Sequence, residues 1–340
     1  MYMKYILNIV LLSATIFVGG CSNNNTAPKE KGVDVTEETA SVMKQLWSVS
    51  PLSSDISLRT SAYKNIQKWA DAISSATFMS FLGGQDWLAN SLVKSERILA
   101  CYNQAFDRVL DGIRNNKPSE GTVHIWHLYN MGYVVQTSKG CFGIDIYHRR
   151  GAELAPYLDF ICITHKHQDH HWRALTEAMT LLEKPVFSNF LPPSSYVYSS
   201  TVNKDYEKGI FKIHTFITDH NNNPTNVPVT GYQIDCGNGF VLLHTGDSNF
   251  KAEQFDISKD IDVYIPRYAQ SELAENNVIG KVFFPKYVLL SHILELSHKD
   301  TSSSRWSLEM GLARTVKLNC DKSCMPFWGD LLVWKNGILK

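Results

Sequence analysis

In this 340-residue chain, the stretch ITHKHQDHHW at residues 163–172 packs four histidines and one aspartate into ten residues. The stretch continues from the apolar run FICIT, a pattern typical of a buried β-strand. His165 and His167 are two residues apart, so in an extended chain their side chains leave on the same side and can bind one ion together. Asp169 and His170 follow before the next helix, where a turn can aim them at a second ion. Because imidazole and carboxylate ligands suit Zn²⁺, the sequence predicts a two-metal site at the end of a strand.

The order HxHxDH after an apolar strand resembles the signature of the metallo-β-lactamase superfamily of binuclear metal hydrolases, and the resemblance extends over residues 121–334. Further ligand-type residues follow in the order that the family shows, at the ends of the runs ITDH, HTGD and VLLSH. The resemblance implies two Zn²⁺ ions as cofactors, with Mn²⁺ or iron as alternatives. The implied ligands are His165, His167 and His220 for the first ion, Asp169, His170 and His292 for the second, and Asp247 as a bridge between the two.

Two of these assignments have competitors in the sequence. His214 competes with His220, and His220 is preferred because it opens an Asn-rich loop, whereas His214 lies inside the run FKIHTF. His298 competes with His292, and His292 is preferred because it ends a strand. His298 is then expected to support the ligands or to face the substrate. Asp145, in FGIDI, resembles the structural aspartate that the family carries at the end of an early strand.

The predicted chemistry is hydrolysis. Two divalent ions held ~3.5–4 Å apart lower the pKa of a shared water, which then attacks as hydroxide at neutral pH. Asp247 and Asp169 are the predicted catalytic residues, since Asp247 bridges the ions and Asp169 orients the hydroxide or relays a proton to the leaving group. A bridging aspartate is typical of the family's esterase, lactonase and phosphodiesterase branches, which implies a small-molecule ester, lactone or phosphodiester as substrate. Arg267 and Tyr268, in YIPRYAQ, are candidates for contact with an anionic substrate, but a surface arginine beside a packed tyrosine is the preferred interpretation.

The spacing of apolar residues changes near residue 118. Residues 34–118 carry apolar stripes at helical intervals, which predict a module of three or four helices. Residues 119–340 consist of short β-rich runs separated by Gly, Asn, Asp and Pro turns, with a helix at 172–182. We expect a fold of the α+β or α/β class. The resemblance implies its form, the four-layer αβ/βα metallo-β-lactamase sandwich, beside an N-terminal helical module.

The N-terminus predicts export. Residues 1–20 combine Lys4 with an apolar run and the small residues FVGG, as a signal peptide does. The cysteine that follows resembles a bacterial lipobox, which implies cleavage before Cys21, lipidation of its thiol and an anchor in a membrane of the cell envelope, facing the periplasm or the surface. An uncleaved N-terminal anchor is the alternative. Residues 21–33 are polar and small, as a tether should be.

Composition excludes one class of partner and leaves two rival functions open. Lys+Arg and Asp+Glu both number 33, so the chain has no net charge to attract nucleic acid. One rival function is an iron-dependent oxidoreductase of the same fold. The other is a non-catalytic surface lipoprotein whose helical module binds a partner. The complete ligand set favours the hydrolase over both.

Overall fold

The structure is a computed structural model that describes residues 34–220, 227–298 and 305–340. The predicted signal peptide, the lipidation site Cys21 and the tether lie outside the described residues. Within the described part, no helix combines the length and the apolar character that a membrane span needs. Its six cysteines are all free thiols, and five of them are buried.

Five helices form the N-terminal part of the described chain, where the sequence pattern predicts three or four. The difference arises because two of the helices have only nine and ten residues, too few to show an apolar stripe of their own. The Ser74 side chain begins the third helix by accepting a hydrogen bond from the Thr77 N–H. The five helices are α1 (Thr36–Trp47), α2 (Ser57–Ala72), α3 (Ser75–Gly83), α4 (Asp86–Ser95) and α5 (Arg97–Asn115).

The rest of the described chain contains two further α-helices, four short 3₁₀ helices and fifteen strands. The α-helices are α6 (Arg173–Leu181) and α7 (Leu308–Thr315). The strands are β1 (Thr122–His127), β2 (Tyr133–Thr137), β3 (Gly140–Ile144), β4 (Phe160–Ile163), β5 (Val186–Ser188), β6 (Val197–Ser199), β7 (Lys204–Lys208), β8 (Phe211–Asp219), β9 (Pro228–Asp235), β10 (Val241–His244), β11 (Val263–Ile265), β12 (Tyr287–Leu289), β13 (Ser323–Cys324), β14 (Leu331–Lys335) and β15 (Ile338–Leu339).

These strands make two mixed sheets. The first sheet has the order β15-β14-β1-β2-β3-β4-β5-β6, with β3 to β6 parallel and the other pairs antiparallel. The second sheet has the order β13-β12-β11-β10-β9-β8-β7, with β10 to β13 parallel and β7 to β10 antiparallel. Each sheet therefore joins a parallel half to an antiparallel half.

The two sheets pack face to face, with helices on their outer faces. Phe142 and Phe160 of the first sheet share a buried cluster with Phe211 and Leu242 of the second. Fully burying such a side chain contributes roughly 1.5–3 kcal/mol to folding. The outer face of the first sheet packs against α5 and α6, and that of the second packs against a cluster that includes α7. The predicted four-layer αβ/βα arrangement is confirmed.

Strand direction brings the predicted ligands to one edge. Because β9 is antiparallel to both β8 and β10, these two strands run in the same direction, which β11 and β12 share. The chain segments that leave the carboxyl ends of β8, β10 and β12 carry His220, Asp247 and His292, in that order. In the first sheet, β3 and β4 are likewise parallel, and they lead to Asp145 and His165.

The N-terminal helices pack into the same unit as the sheets, which spans Val33–Lys340. Arg59 of α2 forms a buried ion pair with Asp330, which directly precedes β14. The indole N–H of Trp47 donates to the Trp328 carbonyl oxygen at 2.9 Å. The division of the chain near residue 118 stays a prediction.

Candidate metal centre

The first part of the centre is built where β4 ends. Thr164 donates its backbone N–H and its hydroxyl to the two carboxylate oxygens of Asp145, at 2.8 and 2.7 Å. Because that hydroxyl proton is committed to Asp145, the Thr164 oxygen accepts from Nδ1 of His165 at 3.0 Å. This hydrogen bond fixes the tautomer of His165 and leaves the lone pair of Nε2 for a metal ion.

The same aspartate orients a second histidine. His170 lies in the single 3₁₀ turn Gln168–His170 and donates from Nδ1 to Asp145 Oδ2 at 2.8 Å. Its Nε2 then faces Asp169 and Asp247, whose nearest carboxylate oxygens lie at 3.3 and 3.4 Å. Asp145 thus orients His170 directly and His165 through a threonine, which is what a structural aspartate beside a metal centre does.

The third contributor is Asn130, which the sequence analysis did not identify. Its side-chain amide donates to Asp169 Oδ2 at 2.9 Å, in the turn between β1 and β2. The backbone of Asn130 is left-handed, with φ of 56°, a conformation that asparagine tolerates better than most residues. The motif YNMG between two strands signals such a turn, but no local pattern shows that its side chain meets a residue 39 positions later.

The second sheet supplies Asp247, His220 and His292. Asp247 follows Gly246, whose φ is 45° and where an added Cβ would lie 2.3 Å from the Thr164 hydroxyl oxygen. Only glycine fits there, so the GD of the run HTGD has a steric basis. The Asp247 carboxylate is buried among the rings, with its Oδ2 3.1 Å from His220 Nε2 and 3.4 Å from His292 Nε2.

The side chains form two clusters that share one carboxylate. Their possible ligand atoms lie within 4.8 Å of one another in each cluster, and the clusters are His165, His167, His220 and Asp247, and Asp169, His170, Asp247 and His292. Two ligand atoms on a tetrahedral zinc ion lie ~3.4 Å apart, given zinc–ligand distances of ~2.1 Å. The separations of 3.1–3.4 Å between ring nitrogens and carboxylate oxygens match that spacing.

Buried atoms without hydrogen bonds indicate what the clusters can hold. Among the described residues, Nε2 of His165, His170 and His292 and Oδ1 of Asp247 are buried and have no hydrogen-bond partner of acceptable geometry. An unsatisfied buried polar atom costs about 1–3 kcal/mol, and here four of them converge. The donor set of imidazole nitrogens and carboxylate oxygens therefore fits two divalent ions of the zinc type.

Burial and neighbouring charges shift the pKa values of three histidines in the two clusters. Burial disfavours the charged form of His292, but Asp247 and Asp169 outweigh it and raise the pKa of His292 to about 9. Burial acts in the same sense on His170, and its carboxylate neighbours raise its pKa well above the ordinary value. The pKa of His165 is held well below the ordinary value by burial and by His170. A metal ion that binds the second cluster therefore competes with protons for these two rings.

Two competing histidines lie outside both clusters. His214 points away from the centre, where its Nδ1 is 2.8 Å from Asp205. His298 is 3.4 Å from the buried carboxylate of Glu295, and its ring centroid is 5.9 Å from that of His292. The structure therefore brings the two preferred histidines into the clusters and leaves His298 beside them.

A cavity of about 360 Å³ adjoins the first cluster, a size that accommodates a small molecule. Its lining includes His167, His220, Arg267, His298 and Trp306. A second cavity of about 590 Å³ shares four of its lining residues, so the two adjoin. Ligand-type side chains, a cation and an indole thus meet around one space large enough for a substrate.

A scan of family models finds no match to the sequence, and neither does a search of the curated proteins. Among solved structures, the chain is similar to the metallo-β-lactamase fold protein YhfI from Bacillus subtilis, with 16% identity over 63% of this chain and 99% of that one and a TM-score of 0.45. A metallo hydrolase from the archaeon Ignicoccus hospitalis gives the same four values. CmlA, a diiron β-hydroxylase from Streptomyces venezuelae, is 12% identical over 75% of this chain and 62% of that one, with a TM-score of 0.46. These similarities concern the fold alone.

Proposed function

We propose that this chain is a binuclear metal-dependent hydrolase of the metallo-β-lactamase superfamily that cleaves an ester, lactone or phosphodiester bond in a small molecule. The observation that carries the proposal is the convergence of five histidines and two aspartates into two clusters joined by Asp247. A structural metal site needs one set of four ligands, whereas two sets that share a carboxylate beside a cavity are arranged for catalysis.

In the proposed centre, His165, His167 and His220 would hold the first zinc ion, Asp169, His170 and His292 would hold the second, and Asp247 would be shared by both. When bound, the two ions supply Lewis acidity and a nucleophilic water at neutral pH. The side chains supply the geometry. Asp145 and Thr164 orient the rings of His170 and His165, and Asn130 holds the carboxylate of Asp169.

Asp169 is the residue to which we assign proton transfer. Asp169 is 7% exposed and its carboxylate is fixed by the Asn130 amide, so the carboxylate can receive a proton from the attacking water and return it to the leaving group. His298 lines the cavity, its ring centroid is 5.9 Å from that of His292, and the buried carboxylate of Glu295 holds its position.

The test of the proposal is hydrolysis by the zinc-loaded chain. Suitable probes are 4-nitrophenyl esters, γ- and δ-lactones and bis(4-nitrophenyl) phosphate. We expect turnover of at least one class and, in Asp247→Ala, a loss of about a hundredfold or more, because both ions lose a shared ligand.

His214→Ala is the matched control, since it removes a histidine of β8 that lies outside both clusters. It should retain the activity of the unchanged chain. Turnover by Asp247→Ala at the unchanged rate, or an equal loss in His214→Ala, would contradict the assignment of the site.

We also propose that the enzyme is exported and anchored through a lipid on Cys21. The support is the sequence, in which the apolar run and the small residues FVGG precede that cysteine. Metabolic labelling with an alkyne fatty acid should mark the chain, and Cys21→Ser should abolish the label. An unlabelled chain of full length would overturn this assignment and favour an uncleaved anchor.

A further inference from the structure

Arg267 lies between two of the proposed metal ligands. In the second sheet, β11 is the strand between β10 and β12, and the segments after these neighbours carry Asp247 and His292. Arg267 comes two residues after β11 ends, and its backbone pairs with Ser291, directly before His292. Position along the strand therefore brings its side chain to the same edge as the ligands.

The guanidinium of Arg267 is buried and held in place. Arg267 is 9% exposed, which corrects the interpretation that it is a surface arginine. Its Nε donates to the carbonyl of Ser248 at 3.0 Å and its Nη1 to the carbonyl of Tyr268 at 3.2 Å. A guanidinium has five N–H donors, so these two bonds leave three for another partner.

Arg267 differs from the other buried arginines in its charge balance. Arg59 pairs with Asp330, and Arg314 pairs with Glu275. Among the residues that the structure describes, no carboxylate lies within ion-pair distance of Arg267. A buried cation without a counter-ion is costly, which predicts that an anion completes the site. The place for that anion is the 360 Å³ cavity, which Arg267 lines together with His167 and His220.

The wall that carries Arg267 is rigid. Arg314 donates to the carbonyls of Ala269 and Ser271, at 3.1 and 2.6 Å. The Glu275 carboxylate accepts from the Ala269 N–H at 3.0 Å and also binds Arg314. A buried ion pair therefore fixes the segment that follows Arg267, so little ordering is needed when a ligand binds.

We propose that Arg267 binds an oxyanion, a carboxylate or a phosphate group, of the substrate and thereby makes the enzyme selective for anionic substrates. The inference rests on the proposed hydrolytic function, because it places the scissile bond at the metal centre and the anionic group at Arg267. Guanidinium matches both groups geometrically and can bind either with two parallel hydrogen bonds. The adjoining 590 Å³ cavity leaves room for the rest of an elongated substrate.

The experiment is calorimetric binding to the zinc-loaded full-length chain, with glutarate as the carboxylate probe and methyl phosphate as the phosphate probe. We expect at least one probe to bind. Arg267→Gln should weaken the binding of that probe about tenfold or more, because the substitution removes a charge-assisted hydrogen bond. Arg267→Lys keeps the positive charge and should lose less affinity for the probe than Arg267→Gln. The probe that depends more on Arg267 identifies the preferred anion.

Arg108→Gln is the matched control, because Arg108 is half-buried, donates to the Gly329 carbonyl and lies outside both cavities. Zinc content and the thermal midpoint of each variant show that the chain is folded and loaded. Equal binding of both probes by Arg267→Gln and by the unchanged chain would overturn the proposal and leave Arg267 as a clamp on Ser248 and Tyr268. Absence of binding to the unchanged chain would overturn it as well.

A second measurement separates this inference from the proposed function. For a carboxylate-bearing ester, mono-4-nitrophenyl glutarate, Arg267→Gln should raise KM more than it lowers kcat, and for neutral 4-nitrophenyl butyrate KM should be unchanged. If oxyanions bind through Arg267 but no ester, lactone or phosphodiester is hydrolysed, the binding site stands and the hydrolase fails. If mono-4-nitrophenyl glutarate is hydrolysed with the same KM by Arg267→Gln and by the unchanged chain, the hydrolase stands and the selectivity for anionic substrates fails.

Discussion

At the scale of single residues, the centre depends on unusual backbone as much as on ligand chemistry. Asn130, Asp145 and His292 all have positive φ, at 56°, 47° and 60°. For residues other than glycine this region is sparsely populated, and such strain persists only where surrounding contacts enforce it. With this backbone conformation, the Asn130 side chain contacts Asp169 and the Asp145 side chain contacts His170. At these two positions, an unfavourable backbone conformation therefore accompanies a hydrogen bond that orients a proposed metal ligand.

Asn130→Gly tests that role directly. Glycine accepts a φ of 56° without strain, so the substitution removes the amide that holds Asp169 and spares the backbone. Loss of a group that orients a ligand typically costs 10–100-fold in metal affinity, and we expect a decrease of that size for one of the two ions. A zinc competition titration measures it. Equal affinity for both ions in Asn130→Gly would show that the hydrogen bond to Asp169 does not matter.

At the scale of elements, the sequence indicated the strands well and the turns poorly. The runs FICIT, VLLHTGD and VLLSH overlap β4, β10 and β12, because a buried strand with a polar end is a local pattern. Asn130 could not be found this way, since its partner lies across the fold. The sequence identifies Arg267 as a candidate for substrate contact, but it does not predict the burial of this side chain, because burial depends on how the loop after β11 packs.

The end of β1 gives a prediction about pH. Burial lowers the pKa of His127 to about 4, and the ring donates from Nε2 to the Asn130 carbonyl. The unfolded chain binds this proton with an ordinary pKa of about 6.5. The stability that neutral His127 contributes is therefore complete above pH ~6.5 and is lost as the pH falls toward 4.

His127→Gln keeps an N–H donor for Asn130 but does not titrate. Between pH 7 and pH 5, the free energy of unfolding should fall by about 2 kcal/mol less in this variant than in the unchanged chain. Urea denaturation of zinc-depleted protein at the two pH values measures the difference without a contribution from metal release. If the free energy of unfolding falls equally in the two proteins, His127 takes up its proton as readily in the folded chain as in the unfolded chain, and its pKa is not lowered.

At the scale of the whole molecule, the N-terminal helices stabilise the region around the site. Arg59 of α2 and Asp330 form a buried pair, and Asp330 also accepts from the Phe327 N–H. Arg305 donates to the carbonyls of Ala70 and Ile73 near the end of α2. The sequence predicts a helical module at residues 34–118, but not these contacts, because contacts between residues more than 200 positions apart leave no local pattern.

Arg59→Ala tests the coupling between helices and sheets. It leaves Asp330 buried without its counter-ion, which typically costs about 3–5 kcal/mol, and we expect one cooperative unfolding transition shifted to lower denaturant. The double variant Arg59→Met with Asp330→Asn removes both charges and should recover part of the loss. Two separate transitions, only one of which responds to Arg59→Ala, would instead establish an independent helical domain.

Whether the chain holds a two-metal centre is decided by the metal content of the purified protein, measured by elemental mass spectrometry beside Asp247→Ala and the control His214→Ala. We predict about two zinc ions per chain, fewer in Asp247→Ala and an unchanged number in His214→Ala, because Asp247 belongs to both clusters and His214 to neither. A single iron ion per chain, in place of two metal ions, would contradict the binuclear hydrolase and favour an iron-dependent oxidoreductase. No metal under metal-replete conditions would contradict the centre itself and favour a non-catalytic binding protein.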